Sequence, residues 1–476
     1  MANPIRFGTD GWRAIIAEDF TFDNVRFCAQ ATAEYITQAG HAKKGMVVGY
    51  DTRFASEDFA AAVAEVLAGN GVKTYLCPKP TPTPVISYGV LTNQAAGAII
   101  ITASHNRAAW NGFKIKSADG SSSPSETTSQ IEKSIEQIQK SGTVKKLPLA
   151  EALEKGLVTY TDLEEPYTAQ LARLVDLDGL RKAGLKVISD PMFGAGAGYF
   201  KRILAGNAIE LVEIDQERNP LFPGLERPEP IEANLGHLSK TIVSTGAHVG
   251  IATDGDADRV GIVDENGRFL TQLQVCALLA LYLLETRGER GALVKTITMT
   301  SMLYRLGEIF GVPVFETPVG FKYVAPVMVT ENALMGGEES GGYGFRGHVP
   351  ERDGILAGLY FLDFMVKTGK TPSELLAYLY QKVGPHYYQR LDEEFPADQR
   401  QAIIHRLEAG PPDKIENVKV DRLDTTDGFR YHLSDRSWLL IRFSGTEPVL
   451  RIYAESDHPE RVTRLLQAGK NLTGIV

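Results

Sequence analysis

A strand, loop, helix, strand pattern occurs three times along this chain, and it restricts the possible folds more than any other feature. Met46 to Asp51 (MVVGYD) leads into a helical stretch from Glu57 to Ala68 and then GNGVKTYL. Lys186 to Asp190 (KVISD) leads through a glycine-rich loop and an aromatic-containing helix to GNAIELVEI, and Leu293 to Thr298 (LVKTIT) leads through TSMLYRLGEIF to GVPVFET. Apolar, β-branched runs alternating with helical periodicity predict βαβ units whose sheets are covered on both faces. Three similar α/β domains with mixed sheets are therefore expected. From about Gly384 the texture changes to consecutive strands, RYHLSDRSWLLIRF and VLRIYAES, followed by an amphipathic helix from Pro459 to Leu466. This predicts a smaller C-terminal α+β domain, the four units standing around a central cleft. Expected boundaries are 1–157, 158–268, 269–384 and 385–476, with linkers at Ser141 to Leu157 and Gly384 to His386. A chain of 476 residues is too long for one core.

A net charge of −9 without a long basic run argues against nucleic acid or an anionic membrane as partner. Phosphate ligands would need positive charge concentrated locally. Cys28, Cys77 and Cys276 are far apart and odd in number, which fits neither a disulfide framework nor metal-ligand spacing. The opening MANPIRFGTDGWR lacks a signal peptide's apolar core, and the longest apolar run, Val275 to Leu284, is too short to span a bilayer. A cytoplasmic protein is expected.

Four segments carry chemistry. The apolar strand AGAIIITA, Ala96 to Ala103, ends in Ser104-His105-Asn106, with Asn111-Gly112-Phe113-Lys114 beyond. Loops leaving the carboxyl ends of buried strands are where α/β proteins place ligands, so Ser104 reads as presented and as a candidate nucleophile. The G-x-S-x-G elbow of serine hydrolases is missing. DGDADR, Asp254 to Arg259, follows the apolar strand HVGIAT. Its carboxylates at Asp254, Asp256 and Asp258 would share one side of an extended segment, as a hard divalent cation such as magnesium requires. Glu265 falls where an EF-hand has its last ligand, but Arg259 occupies the glycine position and a strand follows. GGEESGGYGF, Gly336 to Phe345, lets backbone approach a ligand while Glu338 and Ser340 offer groups for sugar hydroxyls. RFSGTEP, Arg442 to Pro448, offers a tight turn, hydroxyls at Ser444 and Thr446 and the Arg442 fork, with Arg451 shortly after, as a phosphate cradle. The stretch Ser117 to Gln130 reads as a solvated loop ending in a helix cap and is given no function.

TASHN, DGDADR, GEESGG and RFSGTEP occur in that order, one per expected domain. Together with the opening FGTDGWR, and with Lys114 ten residues after the serine, they resemble the α-D-phosphohexomutases, and the glucomutase-like members in particular. The resemblance implies that Ser104 is the phosphoserine and that Asp254, Asp256 and Asp258 hold Mg2+ together with a phosphoserine oxygen. Arg259 would lie beside the phosphoryl group, Arg13 and Lys114 would line the reacting site, and Lys114 or His105 would transfer the proton. Lys322, in TPVGFK, resembles an acid/base lysine of the glucomutases. Glu338 and Ser340 would read sugar hydroxyls, and Arg442, Ser444, Gly445 and Thr446 would clamp the non-reacting phosphate. The implied partners are small sugar phosphates, with a sugar bisphosphate as activator or phosphoryl donor; oligomeric state is left open.

Two departures stand out. The family often has Pro where this chain has Arg107, and a mannomutase/glucomutase subgroup has GEMSGH where this chain has Gly341-Gly342. With TPVGFK and GEES, the second tilts the expectation toward interconversion of glucose 1-phosphate and glucose 6-phosphate through glucose 1,6-bisphosphate. The alternatives are a glucose 1,6-bisphosphate synthase using fructose 1,6-bisphosphate, a phosphomannomutase or phosphoglucosamine mutase, and, in a different class, a noncatalytic phosphosugar sensor.

Overall fold

The computed structural model describes residues 4–8, 10–206, 208–444 and 449–474. Each of the three repeated patterns forms a parallel strand pair: Met46–Tyr50 with Thr74–Leu76, Lys186–Asp190 with Glu210–Glu213, and Leu293–Thr296 with Val314–Thr317. A further strand lies parallel to the first member of each pair: Ala98–Ile101, Val249–Thr253 and Met335–Gly337. That strand then doubles back through a short loop into an antiparallel neighbour, respectively Trp110–Lys116, Val260–Val263 and Tyr343–Phe345. Antiparallel strands need only a short connection, so the turn is tight and its residues are held close to the sheet end. The serine loop (102–109), the acidic loop (254–259) and the glycine-rich loop (338–342) thus occupy one topological position in three similar sheets.

The central strands read as continuous apolar runs because both faces are covered; Met46–Tyr50 and Val249–Thr253 are buried throughout. The three α/β units also share a core. Val85 and Ile100 of the first, Tyr167 and Val260 of the second and Leu303 and Phe361 of the third belong to one apolar cluster. Helix Gly354–Thr368 packs on Val260–Val263 and on helix Leu177–Lys182, so the third unit is braced on the second. Asp353 caps that helix by accepting from Leu356 N at 2.8 Å, and Gly354 N donates to Ala257 O at 3.1 Å, pinning the helix start to the acidic loop.

The last unit is an antiparallel sheet in the order Tyr387–Glu394, Val449–Ser456, Trp438–Phe443, Phe429–Leu433, Val418–Asp424, Lys414–Ile415. Leu439, Ile441, Ile452 and Ala454 face helices Arg400–Glu408 and Pro459–Thr473, whereas Trp438, Leu440 and Tyr453 face Ile297 of the third unit. The strand period of two therefore serves two interfaces. At the second, Arg430 pairs with Glu316, which also takes Lys295 Nζ at 2.6 Å.

Several expectations are corrected. The expected linker Ser141 to Leu157 contains helix Leu149–Glu154 and is fastened to helix Ser56–Gly69, Leu147 N donating to Glu65 O at 3.0 Å. Strand Val158–Tyr160 then pairs with Thr74–Leu76, and Phe269–Leu270 pairs with Val260–Val263, so two sheets run past the expected boundaries at 157 and 268. The last helix continues to Thr473, and Gly469 fits against Ile452 where a Cβ would come within 2.6 Å. Ala468 and Leu472 also pack against this core. Val275 to Leu284 is buried in helix Gln272–Leu281 and the wider turn after it, and no described helix is long and apolar enough to cross a membrane.

Candidate active site

Ser104 sits just beyond strand Ala98–Ile101 with φ of 53°, a left-handed conformation that is uncommon for serine. Its N–H donates to Thr102 Oγ1 at 2.8 Å, and its Oγ donates to Asp254 Oδ2 at 2.8 Å, with His105 Nδ1 3.4 Å away. The serine is not presented to solvent: the acidic loop of the second unit lies over it. Gly255 permits that approach, since a Cβ there would come within 2.5 Å of Ser104 O.

The acidic loop is a turn rather than the expected extended segment. Ala257 has φ of 57° and its N–H donates to Asp254 O at 3.0 Å, while Arg259 N donates to Asp254 Oδ1 at 3.1 Å. The turn still gathers one oxygen each from Asp254, Asp256 and Asp258 within 4.8 Å of one another. Asp256 Oδ1 and Asp258 Oδ1 are buried and have no hydrogen-bond partner. Oxygen-only donors with unmet lone pairs, converging from three carboxylates, fit a hard divalent cation.

Such a cluster repels itself unless cations neutralise it. Lys114 Nζ lies 2.6 Å from Asp10 Oδ2, 2.8 Å from Asp256 Oδ2 and 3.4 Å from Asp258 Oδ2. Arg352 Nη2 lies 2.7 Å from Asp10 Oδ2 and 2.9 Å from Asp258 Oδ2, and Thr83 Oγ1 donates to Asp256 Oδ2 at 2.6 Å. Arg259 Nε is 3.8 Å from both Asp254 and Asp258 and its Nη1 is 3.0 Å from Glu229. Burial, reinforced by Asp256 and Asp258, holds the Asp254 carboxyl well above its ordinary range. Asp256 is pushed the other way, because Lys114 overcomes the burial that would raise it. Burial would lower Lys114, but Asp10, Asp256 and Asp258 raise it, so the ammonium stays charged. His105 is the converse: burial, then Arg259 and Arg13, drive it well below the usual imidazole range.

Arg13 joins the serine loop through Nη1, which donates to Asn106 Oδ1 at 2.7 Å. In the third unit Glu338 Oε2 is 3.5 Å from Arg352 Nη1, and Ser340 Oγ is buried without a hydrogen-bond partner. Burial raises Glu338 to about 6 against the pull of Arg352 and Arg259. Lys322 lies in the first turn of helix Phe321–Thr330 with Nζ 5.2 Å over the Tyr323 ring, and no ion pair links it to the acidic cluster among the described residues.

Asp10, Thr83, Lys116, Glu351 and Arg352 were not assigned roles from sequence. Asp10 lies inside FGTDGWR, but Arg352 and Glu351 precede a helix in a segment with no chemical pattern of its own. The stretch Ser117 to Gln130 is likewise not merely solvated. Ser122 Oγ accepts from Lys116 Nζ at 2.9 Å and donates to Glu351 Oε2 at 2.9 Å, docking this loop of the first unit on the third.

In the fourth unit Arg442 and Arg451 are opposed across neighbouring strands, so both side chains lie on one face of the sheet. Arg442 Nε donates to Asp427 Oδ1 at 3.0 Å, and Arg451 Nε is 3.8 Å from Asp392. Ser444 N donates to Val449 O at 2.8 Å. Gly445 and Thr446 lie outside the described residues. Asp427 also accepts from Val319 N at 2.9 Å, and Arg390 pairs with Glu339 at 3.1 Å, so this unit is tied to the third beside both TPVGFK and the glycine-rich loop.

Models of the phosphoglucomutase/phosphomannomutase domains match in sequence along the chain: alpha/beta/alpha domain I at residues 4–142, domain II at 165–267, domain III at 272–383 and the C-terminal domain at 390–469. The chain belongs to the phosphoglucomutase/phosphomannomutase family. It is 31% identical over 466 residues to a phosphoglucomutase/phosphomannomutase of Thermococcus kodakarensis, covering 98% of each chain. It is 32% identical over 463 residues to a Methanothermobacter thermautotrophicus protein provisionally described as a phosphoglucosamine mutase, covering 96% and 95% of the two chains. A crystal structure from Thermus thermophilus, provisionally described as a phosphomannomutase, superimposes with a TM-score of 0.86 at 36% identity, covering all of both chains. The protein is an enzyme of the phosphohexomutase superfamily.

The two departures from the family pattern have different weights. A Cβ at Gly342 would come within 2.3 Å of Arg352 Cδ, so the missing side chain makes room for Arg352 to reach Glu338 and Asp258. Arg107 pairs with Glu226 of the second unit, but both side chains are about two-thirds exposed, and such a pair contributes little.

Proposed function

We propose that this phosphohexomutase interconverts glucose 1-phosphate and glucose 6-phosphate through phospho-Ser104 and glucose 1,6-bisphosphate, with Mg2+ held by Asp254, Asp256 and Asp258. The observation that supports the reading is the hydrogen bond from Ser104 Oγ to Asp254 at 2.8 Å, with the Ser104 hydroxyl on the edge of a carboxylate cluster with unmet oxygens. When bound, Mg2+ supplies charge neutralisation for the transferring group. Arg259 and Arg13 extend that positive field from the protein side.

In the forward half-cycle the bond between Ser104 Oγ and phosphorus breaks as the sugar's free hydroxyl bonds to phosphorus, and the hydroxyl proton passes to a base. His105 Nδ1, 3.4 Å from Ser104 Oγ, is placed to accept it, whereas Lys114 is held as a charged donor. The second half-cycle returns the other phosphate to Ser104. Glu338 and Ser340 read sugar hydroxyls, and Arg442, Ser444, Gly445 and Thr446, with Arg451 alongside, hold the phosphate that is not reacting. A glucose substrate is favoured by Gly342, where the mannomutase/glucomutase subgroup places histidine.

The test is phosphorus NMR of the enzyme with Mg2+ and glucose 1-phosphate, with and without fructose 1,6-bisphosphate. Isomerisation sustained by trace bisphosphate supports the proposal. Stoichiometric, donor-dependent accumulation of glucose 1,6-bisphosphate would make the enzyme a synthase, and faster turnover of mannose or glucosamine phosphates would move the substrate.

A further inference from the structure

We infer that Arg53 is a positioning residue that sets the shape of the reactive-serine loop, an inference that rests on Ser104 being the phosphoryl carrier. Arg53 follows strand Met46–Tyr50, and its side chain is fully buried. Nη2 donates to Ser104 O and to Asn106 O, both at 2.6 Å, and Nη1 donates to Arg107 O at 2.9 Å and Trp110 O at 3.0 Å. One guanidinium therefore satisfies carbonyls from both ends of the loop, which would otherwise be costly to bury. Nε pairs with Asp51 Oδ2 at 3.2 Å, the same oxygen accepts from Thr102 Oγ1 at 2.6 Å, and Thr102 Oγ1 in turn accepts from Ser104 N at 2.8 Å. The chain Arg53, Asp51, Thr102, Ser104 closes on itself, the Arg53–Asp51 link being an ion pair together with a hydrogen bond from Arg53 N to Asp51 Oδ1 at 3.0 Å, and it grips Ser104 by both its N–H and its carbonyl. A serine at φ of 53° persists only where its surroundings over-determine it, and this ring of bonds does so.

The second unit completes the cradle. The Phe222 ring covers the guanidinium at 5.0 Å, and Arg218 donates to Thr52 O at 3.1 Å and Arg53 O at 3.2 Å. The segment Arg218 to Phe222 thus shields from water the group that shapes the loop, while the acidic loop of the same unit meets Ser104 Oγ from the other side. In-line transfer depends on where Oγ points, so Arg53 acts on the rate of transfer and not on sugar phosphate affinity. Lysine preserves the charge opposite Asp51 but lacks the planar fork that reaches separate carbonyls.

The experiment compares Arg53→Lys and Phe222→Ala with the full-length wild type, measuring kcat, KM for glucose 1-phosphate, single-turnover transfer from phospho-Ser104, thermal unfolding, and Ser104 phosphorylation by peptide mass spectrometry. Arg53→Lys is expected to lower kcat and single-turnover transfer by roughly 100-fold with KM changed by less than about threefold, the signature of misplaced reacting atoms. Phe222→Ala is expected to shift the same quantities in the same direction by less. A folded Arg53→Lys enzyme with wild-type transfer rate, or one losing kcat and affinity together, overturns the inference. Should Arg53→Lys not fold, Phe222→Ala decides: slower transfer at constant KM supports the inference, and unchanged transfer overturns it. Wild-type enzyme that turns over without phosphate on Ser104 defeats the underlying reading as well, whereas phosphate on Ser104 together with full-speed variants defeats this inference alone.

Discussion

Replacing Lys114 by methionine tests how the acidic cluster is kept folded. The ammonium is buried against Asp10, Asp256 and Asp258 and joins the first unit to the second. Methionine fills similar volume but leaves those carboxylates facing one another, with Arg352 still paired to Asp10 and Asp258. Removing one member of a buried ion pair costs about 3–5 kcal/mol, because the partner charge stays buried. For a cooperative unit of roughly 150–250 residues, each kcal/mol lowers Tm by about 2–4 °C, so a fall of about 6–20 °C is expected. Mg2+ should restore much of it. A ligand at about 100 times its Kd stabilises by about 2.7 kcal/mol, and in the variant no ammonium competes for Asp256 Oδ2. The assay is thermal unfolding of wild type and Lys114→Met, each with chelator and with Mg2+. The expected result is a large loss in chelator and a Mg2+ shift greater in the variant than in the wild type. A variant with the wild-type Tm, or with a Mg2+ shift no larger than that of the wild type, would refute the reasoning.

Asp256→Ala should abolish turnover while glucose phosphate binding, followed calorimetrically, stays measurable, since the Arg442 face lies in another unit; parallel loss of both would contradict that separation. Gly342→His should force Arg352 from its place, because a Cβ alone would come within 2.3 Å of Arg352 Cδ. Such overpacking costs about 1–3 kcal/mol and should appear as a lower unfolding midpoint with raised KM; unchanged values would show that the loop yields freely. Glu338 is raised to about 6 by burial, so it gains its proton as pH falls through about 6 instead of near 4.5. KM for sugar phosphate is expected to rise below that pH, and Glu338→Gln should flatten the profile; a profile unaltered by the substitution would remove Glu338 from sugar recognition.

The repeated strand–helix–strand pattern was legible because central parallel strands are buried on both faces and so are rich in apolar, β-branched residues, despite Ser189 in the second unit and Lys295 in the third. The short edge strands Val158–Tyr160 and Phe269–Leu270 were not, since so few residues carry no usable period. Ser104 and the aspartates were legible because residue types that disfavour burial followed apolar strands abruptly. Their conformation was not, as the left-handed backbone at Ser104 and Ala257 arises from bonds to distant segments. Arg352 and Glu351 reach the site from the start of a helix in the third unit, and Asp10 from near the amino terminus. Only the tertiary approach of three sheet ends makes such residues neighbours, and no local pattern records that approach.

The most direct test of the central claim is to incubate the enzyme with Mg2+ and glucose 1,6-bisphosphate carrying labelled phosphate and to map the label by peptide mass spectrometry. The account predicts label on Ser104, chased into glucose monophosphate at a rate at or above kcat, and neither label nor turnover in Ser104→Ala. Turnover by Ser104→Ala, or a turning-over wild type with no label on Ser104, would contradict it.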